Sequence, residues 1–393
     1  MNLLVLATKA PWPPIDGGRL LLLHTLEGLA AAGCRPVLVA PVNPAQFDLE
    51  TVAGELSTWC EPRLVPASPV PAAAALARSW RAPLAITRHS LAPVRREVEE
   101  LLRTSRFDLV HAEQLQALPQ AEPAFRRGIP VVLRAQNVES DLWAALARAR
   151  GGFVGRALAF EARRLARWEG EAVRRAAATF ALTSEDAARL HALAGNGGSS
   201  RVRVVRAPFP GLPPGKGHLP GEPSLVLLGS RGWLPNEDAV AWFLEEIWPA
   251  VRAELPGAVL HLFGAGAPPQ ASVVSHPSPA DSAEAFAPGS ILVVPLRIAS
   301  GVRMKVLEAW ARGVPVVGTP TALAGLEVED SREALVAADA PGFTRALARL
   351  HREGGLAAAL VDEGKWALSG RHEPAGVATE LLAAYAETTR QPS

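Results

Sequence analysis

The sequence predicts an α/β protein made of two doubly wound, parallel-sheet domains. Short apolar runs alternate with helical patterns along almost the whole chain, which is the rhythm of strand–helix–strand units. At 393 residues the chain exceeds the roughly 250–300 residues that one hydrophobic core supports. A stretch rich in Pro and Gly, residues 207–223, carries no apolar period and divides the alternation into two comparable parts.

Taken in order, Leu3–Ala7 is a strand, and a Pro/Gly loop then leads into a helix over Gly18–Ala32. Gly33 stands where a helix ends, and Pro36–Ala40 is the next strand. The rhythm continues with a helix over Pro93–Thr104, strands at Leu109–His111 and Val131–Arg134, and one long helix ending near Ala178. A strand over Thr179–Leu182, a helix opening at Ser184 and a strand over Arg201–Val205 complete a first domain, residues 1–206. Past the linker, the second domain, residues 224–372, runs through a strand at Ser224–Gly229, a helix over Asp238–Leu255, and strands at Val259–Phe263 and Ile291–Pro295. It closes with a helix from Gly301 to Arg312, a strand over Val314–Gly318 and a helix over 341–352. Residues 373–393 form a terminal helix and tail, for which a return to the first domain is one course.

Composition narrows the function. The net charge of +1 leaves no global field to draw the protein to nucleic acid. Two cysteines, Cys34 and Cys60, without a CxxC pair or a His cluster, speak against a disulfide framework or a structural zinc and for a reducing cytoplasm. The apolar run before Lys9 is too short for a signal-peptide core, and no run of about 18 apolar residues occurs to span a membrane. The exception to the even charge is Arg148 to Arg175, with eight Arg against three Glu. Such a stretch is either a solvated face with local ion pairs or a face for anionic lipid at the inner side of a membrane.

The densest chemistry lies in PLRIASGVRMKVLEAWARGVPVVGT, Pro295 to Thr319. A strand ending at Pro295 and a helix opening near Gly301 would aim free amides and a partial positive charge at a bound anion, as a diphosphate requires. Ser300, Gly301 and Val302 line that approach, and Arg303 and Lys305 add cations within the first turn. Glu308, two turns in, either accepts from a ribose diol or pairs with Arg312 or Lys305 on a solvated face. In the first domain, the loop PWPPIDGGRL (11–20) places Gly17 and Gly18 at the carboxyl edge of the sheet, as a simple tight turn or as a close backbone approach to ligand. It is not the GxGxxG of a dinucleotide site. VHAEQ and QNVE each follow a strand and bring His111, Glu113, Gln136, Asn137 and Glu139 to the same edge.

These segments resemble the retaining GT-B glycosyltransferases of family four, particularly the bacterial polysaccharide-type members. Their donor segment has the form PLR-x-GGG-x-R-x-K-x-LEA-x-A-x-G-x-PVV, which this chain matches at nearly every fixed position. GSRGWLPNEDAVAWFLEEIWP (229–249) is similar to the family's opening of the second domain. QNVESDLW (136–143) and EARRLARWE (161–169) are similar to its HN-x-E-x-x-x-W and E-x-x-x-L-x-x-x-E pieces. The resemblance implies a GT-B fold, two Rossmann-like domains facing a central cleft, and transfer of a hexose from a nucleoside diphosphate sugar to an acceptor hydroxyl with retention.

It also implies roles. Glu308 would hold the nucleotide ribose, and Arg231 and Lys305, assisted by Arg303, would neutralise the departing diphosphate. Gly17 and Gly18 would touch donor or acceptor; His111, Glu113 and Asn137 are candidate contacts for sugar or acceptor. The partners would be a nucleotide sugar and a sugar or lipid-linked acceptor, without metal or cofactor, since no convincing DxD loop occurs. The chain departs from the family at two places: Ser300 stands where the broader family has a sugar-contacting Glu, and Gln136 where it often has His. Three other readings stay open. They are a degenerate non-catalytic scaffold, a nucleotide-sugar epimerase and, more remotely, a nicotinamide dehydrogenase.

Overall fold

The structure, a computed structural model, describes residues 1–195, 202–229, 233–264, 266, 269–279 and 281–390. Two compact units account for it: Met1–Pro208 with Pro374–Ser393, and Phe209–Glu373. Each is built on a fully parallel sheet.

The first unit runs β1 (Leu3–Leu6), α1 (Gly17–Ala31), β2 (Val37–Val42), α2 (Leu49–Leu56), β3 (Glu61–Pro66), α3 (Ala72–Arg78), α4 (Leu84–His89), α5 (Ala92–Thr104) and β4 (Leu109–Glu113). After a 3₁₀ segment come α6 (Glu122–Arg126), β5 (Val131–Ala135), α7 (Glu139–Arg150), α8 (Gly152–Arg175), β6 (Ala178–Ala181), α9 (Ser184–Ala194) and β7 (Val202–Val204). The strand order is β3-β2-β1-β4-β5-β6-β7. Winding therefore reverses between β1 and β4, whose registers pair Leu3 with Leu109 and Leu6 with Ala112. Strands β1, β4 and β5 are buried along their whole length; β1 reads as a continuous apolar run, while β4 and β5 carry His111, Glu113 and Arg134 among their apolar residues.

The second unit runs β8 (Ser224–Leu228), α10 (Leu234–Trp242), a π-helical segment, α11 (Trp248–Glu254), β9 (Val259–Phe263), β10 (Val273–His276), β11 (Ser290–Val294) and α12 (Met304–Arg312). It continues through β12 (Val316–Gly318), α13 (Pro320–Leu323), β13 (Leu335–Val336), α14 (Ala340–Arg352) and α15 (Leu356–Arg371). Its order, β10-β9-β8-β11-β12-β13, reverses between β8 and β11.

Several expectations change. The long helix is two, because Gly151 and Gly152 take φ of +58° and +57° and fold α7 back along α8. It ends at Arg175, three residues before the expected position. The segment 207–223 holds no regular structure, yet from Phe209 onward it is laid on the second unit. Phe209 is buried, Lys216 N donates to Ala283 O, and Ser224 Oγ donates to the Leu219 carbonyl. The strand expected from Arg201 begins, among the described residues, at Val202.

The last helix, α16 (Pro374–Arg390), buries Val377, Leu381 and Tyr385 in the first unit and packs on α1. That packing depends on Gly28, where an added Cβ would meet the Pro374 carbonyl oxygen at 2.7 Å. Gly28→Ala is expected to cost about 1–3 kcal/mol as overpacking against backbone. Gly54→Ala in α2, with open space around the added methyl, should be neutral or stabilising by up to about 1 kcal/mol. Urea denaturation of both variants measures the difference.

Candidate functional site

Ligands of doubly wound sheets sit beyond the carboxyl ends of the strands that flank the reversal. In the second unit those strands are β8 and β11. The chain leaves β11 at Pro295, turns at Gly301 with φ of +73°, and enters α12 at Met304. The helix thus begins three residues later than the sequence suggested. Ser300, Gly301, Val302 and Arg303 belong to the approach loop, with Arg303 at the N-cap position. Gly301 is buried and the other three are partly buried. The Arg303 guanidinium folds back to donate to the Ser300 carbonyl.

An ion pair holds this loop in place. Arg297, three residues after β11, meets Asp238 of α10 at 2.7 Å and lies over the Trp242 ring at 5.1 Å. The PLR and DAV-x-WF pieces, far apart in sequence, are thus two halves of one contact.

Lys305 reaches from the first turn of α12 to the end of β8, where its Nζ donates to Leu228 O at 2.6 Å. Burial, reinforced by the neighbouring Arg303 charge, lowers its pKa to about 8. A buried ammonium beside a helix N-terminus leaves a net positive pocket for an anion. Arg231, in the loop just past β8, lies outside the described residues.

Glu308 is buried, not on a solvated face. Its Oε1 accepts from Arg312 Nε at 3.0 Å and from the Ser282 hydroxyl, while Arg312 also reaches Ser282 Oγ at 3.2 Å and Pro213 O at 3.3 Å. The Arg312 pairing weighed from the spacing is therefore present, and the Lys305 pairing is not. Among the described residues Glu308 Oε2 takes no hydrogen bond. The carboxylate is fixed through one oxygen and keeps the other for a donor. Ser282, in the Pro-rich segment before β11, was not foreseen, because nothing in its local pattern points toward α12.

In the first unit Gly17 and Gly18 lie in the first turn of α1, not in the preceding loop. Asp16 caps that turn, accepting from Arg19 N at 3.0 Å, and is paired with Lys9 at 2.8 Å. A Cβ on Gly18 would meet Gln136 Oε1 at 2.9 Å, so the glycine makes room for a side-chain network. Thr8 Oγ1 donates to Gln114 (2.6 Å), Gln114 to Gln136 (2.6 Å), and Gln136 to Glu113 (2.8 Å). Glu113 bonds His111 Nε2 (2.9 Å), whose Nδ1 meets the Tyr385 hydroxyl. Gln114, in the middle, holds a φ of +73°, a strained conformation of the kind found beside functional sites.

His111 and Glu113 are buried to 1–2% exposure, so they act on the edge of the sheet only through Gln136. Burial alone would raise the Glu113 carboxyl, but the His111 hydrogen bond and the Arg134 charge hold it below its ordinary value. Asn137 is bonded to Glu139, whose carboxyl burial pushes up. The amides of Glu139 and Ser140 donate to Glu169 at 2.7 and 3.0 Å. The QNVE and EARRLARWE pieces thus meet at the N-terminus of α7. Burial raises Glu169 to about 7.

Comparison with known proteins gives a consistent answer. The family described as glycosyl transferases group 1 matches residues 222–353, and the glycosyl transferase 4-like domain matches residues 16–208. A search of curated proteins finds no match. Among solved structures, sucrose-phosphate synthase from Thermosynechococcus elongatus is similar with a TM-score of 0.70 and 14% identity, covering 98% of this chain and 99% of that one. The catalytic domain of starch synthase IV from Arabidopsis thaliana, bound to ADP and acarbose, gives 0.68 and 14% over the full length of both chains. HepE from Anabaena, in complex with UDP-glucose, gives 0.66 and 13%, covering 98% of this chain and 100% of that one. At such identities the likeness shows the fold.

Because burial lowers the Lys305 pKa to about 8, the advantage of wild type over Lys305→Met in binding inorganic pyrophosphate is expected to shrink as pH rises from 7 to about 9.5, the ligand's own ionisation being common to both. Calorimetric titration across the pH series reads both.

Proposed function

We propose that this chain, which belongs to the GT-B glycosyltransferases, moves a sugar from a nucleoside diphosphate sugar to an acceptor hydroxyl with retention at the anomeric carbon. The observation that carries the donor reading is Glu308. One oxygen is clamped by Ser282 and Arg312, the other is free among the described residues, and the helix bearing it begins beside a buried lysine.

In this reading Glu308 Oε2 accepts from the ribose diol. The amides opening α12, with Lys305 and Arg231, take the diphosphate. As the bond between the anomeric carbon and the diphosphate oxygen breaks, negative charge grows on the leaving group. Those fixed positive groups stabilise the charge without reorganising. The acceptor oxygen bonds to the anomeric carbon on the face the diphosphate leaves, and its proton passes to the departing diphosphate oxygen. Ser300, Gly301, Val302 and Arg303 line the donor side; Gly17 and Gly18 offer amides from the first turn of α1. Gln136, held by Glu113 and through it by His111, presents a neutral amide at the sheet edge, and Asn137 stands beside it. The HepE and starch synthase complexes, with UDP-glucose and with ADP, support a nucleotide donor. The reading requires no metal ion. A sugar or lipid-linked acceptor and a role in polysaccharide or glycoconjugate synthesis follow from the family resemblance.

Gln136 favours one competing reading, a non-catalytic binding subunit, since an amide cannot serve as acid or base. Titration with UDP, GDP, ADP and their glucose conjugates, in EDTA, separates the two when paired with turnover. The transferase reading expects one nucleotide to bind without metal, sugar release or transfer to follow, and Glu308→Ala to weaken binding at least about tenfold, as for loss of a charged hydrogen bond. Binding without any turnover would favour the non-catalytic subunit. No binding at millimolar nucleotide would remove the donor site.

A further inference from the structure

Soluble proteins seldom expose large apolar side chains in groups, and when they do the patch marks a contact. In the first unit such a group stands on α8 and on the chain around α3. Phe153 is 79% exposed, Val154 59% and Phe160 57%; Trp80 is 74% exposed and Leu76 64%. Phe153 and Phe160 are seven residues apart, so they share one face of α8.

The two elements adjoin. Arg164 of α8 donates to the Ser79 carbonyl next to Trp80, and Glu161 accepts from Leu84 N at 2.9 Å. The aromatic residues therefore belong to one surface, with Arg164 over the Phe160 ring and Arg81 over the Trp80 ring at 4.2 Å.

That surface is strongly basic. Residues 70–96 carry Arg78, Arg81, Arg88, Arg95 and Arg96 and no Asp or Glu at all. On α7 and α8, Arg148, Arg156, Arg163 and Arg167 make no ion pair or hydrogen bond among the described residues. Three of them, Arg148, Arg156 and Arg163, border a groove of about 530 Å³ between α7 and α8. Small residues, among them Ala144, Gly155 and Ala159, line it too, as does Asp141, which is paired with Arg189 at 2.9 Å. Elsewhere on these helices the arginines are neutralised: Arg174 by Glu171 and Arg175 by Glu122. The basic character concentrates at the Gly151 end of the hairpin, beside the exposed phenylalanines. Arg164, over the Phe160 ring, is paired with Glu161, whereas Arg148, Arg156, Arg163 and Arg167 have no partner among the described residues; exposed rings beside such arginines suit an interfacial surface, the rings entering the headgroup layer and the guanidinium groups meeting phosphates.

We propose that this face of the first unit docks on an anionic lipid bilayer, with Phe153, Phe160 and Trp80 inserted and headgroup phosphates over Arg148, Arg156 and Arg163. Docking would place the acceptor-side domain at a membrane. The proposal does not depend on the nucleotide site, which lies in the other unit.

Co-sedimentation of the full chain with vesicles tests it. Wild-type protein is expected to pellet with phosphatidylglycerol–phosphatidylcholine vesicles, to be released by 0.5 M salt as a working condition for screening exposed charges, and to ignore pure phosphatidylcholine. Arg156→Glu with Arg163→Glu should lower partition at least about tenfold, and Phe153→Ser with Phe160→Ser should lower it while leaving the salt response. Arg345→Glu on α14 is a surface control that should pellet as wild type. Urea melts and pyrophosphate titration of each variant show that fold and donor site persist. Wild type that stays in solution, or variants that pellet unchanged, would overturn the proposal. So would a wild type that dimerises through this face, with monomeric variants and no vesicle binding at all.

Discussion

A parallel sheet wound in opposite directions from its middle leaves a crevice at the carboxyl ends of the two central strands, and the polar clusters of both units are arranged around that constraint. In the first unit the crevice lies beyond β1 and β4, where Thr8, Gln114, Gln136 and the first turn of α1 converge. In the second it lies beyond β8 and β11, where Lys305 ties one strand end to the helix that follows the other. The central strands β1, β4, β8 and β11 are buried almost throughout, and the ionisable side chains they carry, His111 and Glu113, lie near the carboxyl end of β4.

Placing charge at these crevices costs desolvation, and the two units meet the cost differently. The second unit buries Glu308 and Arg312 as a pair, adds Ser282, and ties the cluster to the Pro213 carbonyl. The pair leaves one carboxylate oxygen without a partner among the described residues, which suits a ligand that brings its own donors. Lys305 is left with a carbonyl for its partner, and burial lowers its pKa accordingly. The first unit instead buries a continuous network from Tyr385 on the last helix to Thr8, all of its members satisfied by one another. That network makes α16 part of the first unit's buried polar cluster as well as of its core.

Fold class was legible because buried parallel strands read as unbroken apolar runs and helices by their period. What escaped was local. Gly151 and Gly152 break a pattern whose apolar spacing continues across them, so one helix was read where two exist. The sequence places the α12 start near Gly301, but that glycine takes a positive φ and the helix begins at Met304. Donor-side candidates were visible as a motif, whereas Ser282 came from a segment with no pattern of its own. Spacing suggests Arg312 for Glu308 on a solvated face; the pair is buried instead, with the Ser282 hydroxyl and the Pro213 carbonyl against it. The coupling of Asp238 to Arg297, and of Glu169 to Glu139, could be read only once the chain was folded.

Hydrogen exchange measured on the full chain, with and without saturating nucleoside diphosphate, asks whether α12 and its approach loop hold the nucleotide of the donor. If they do, exchange slows in amides 299–308 and at the end of β8. Protection confined to other segments, or none in 299–308 while the nucleotide is bound, would show that they do not.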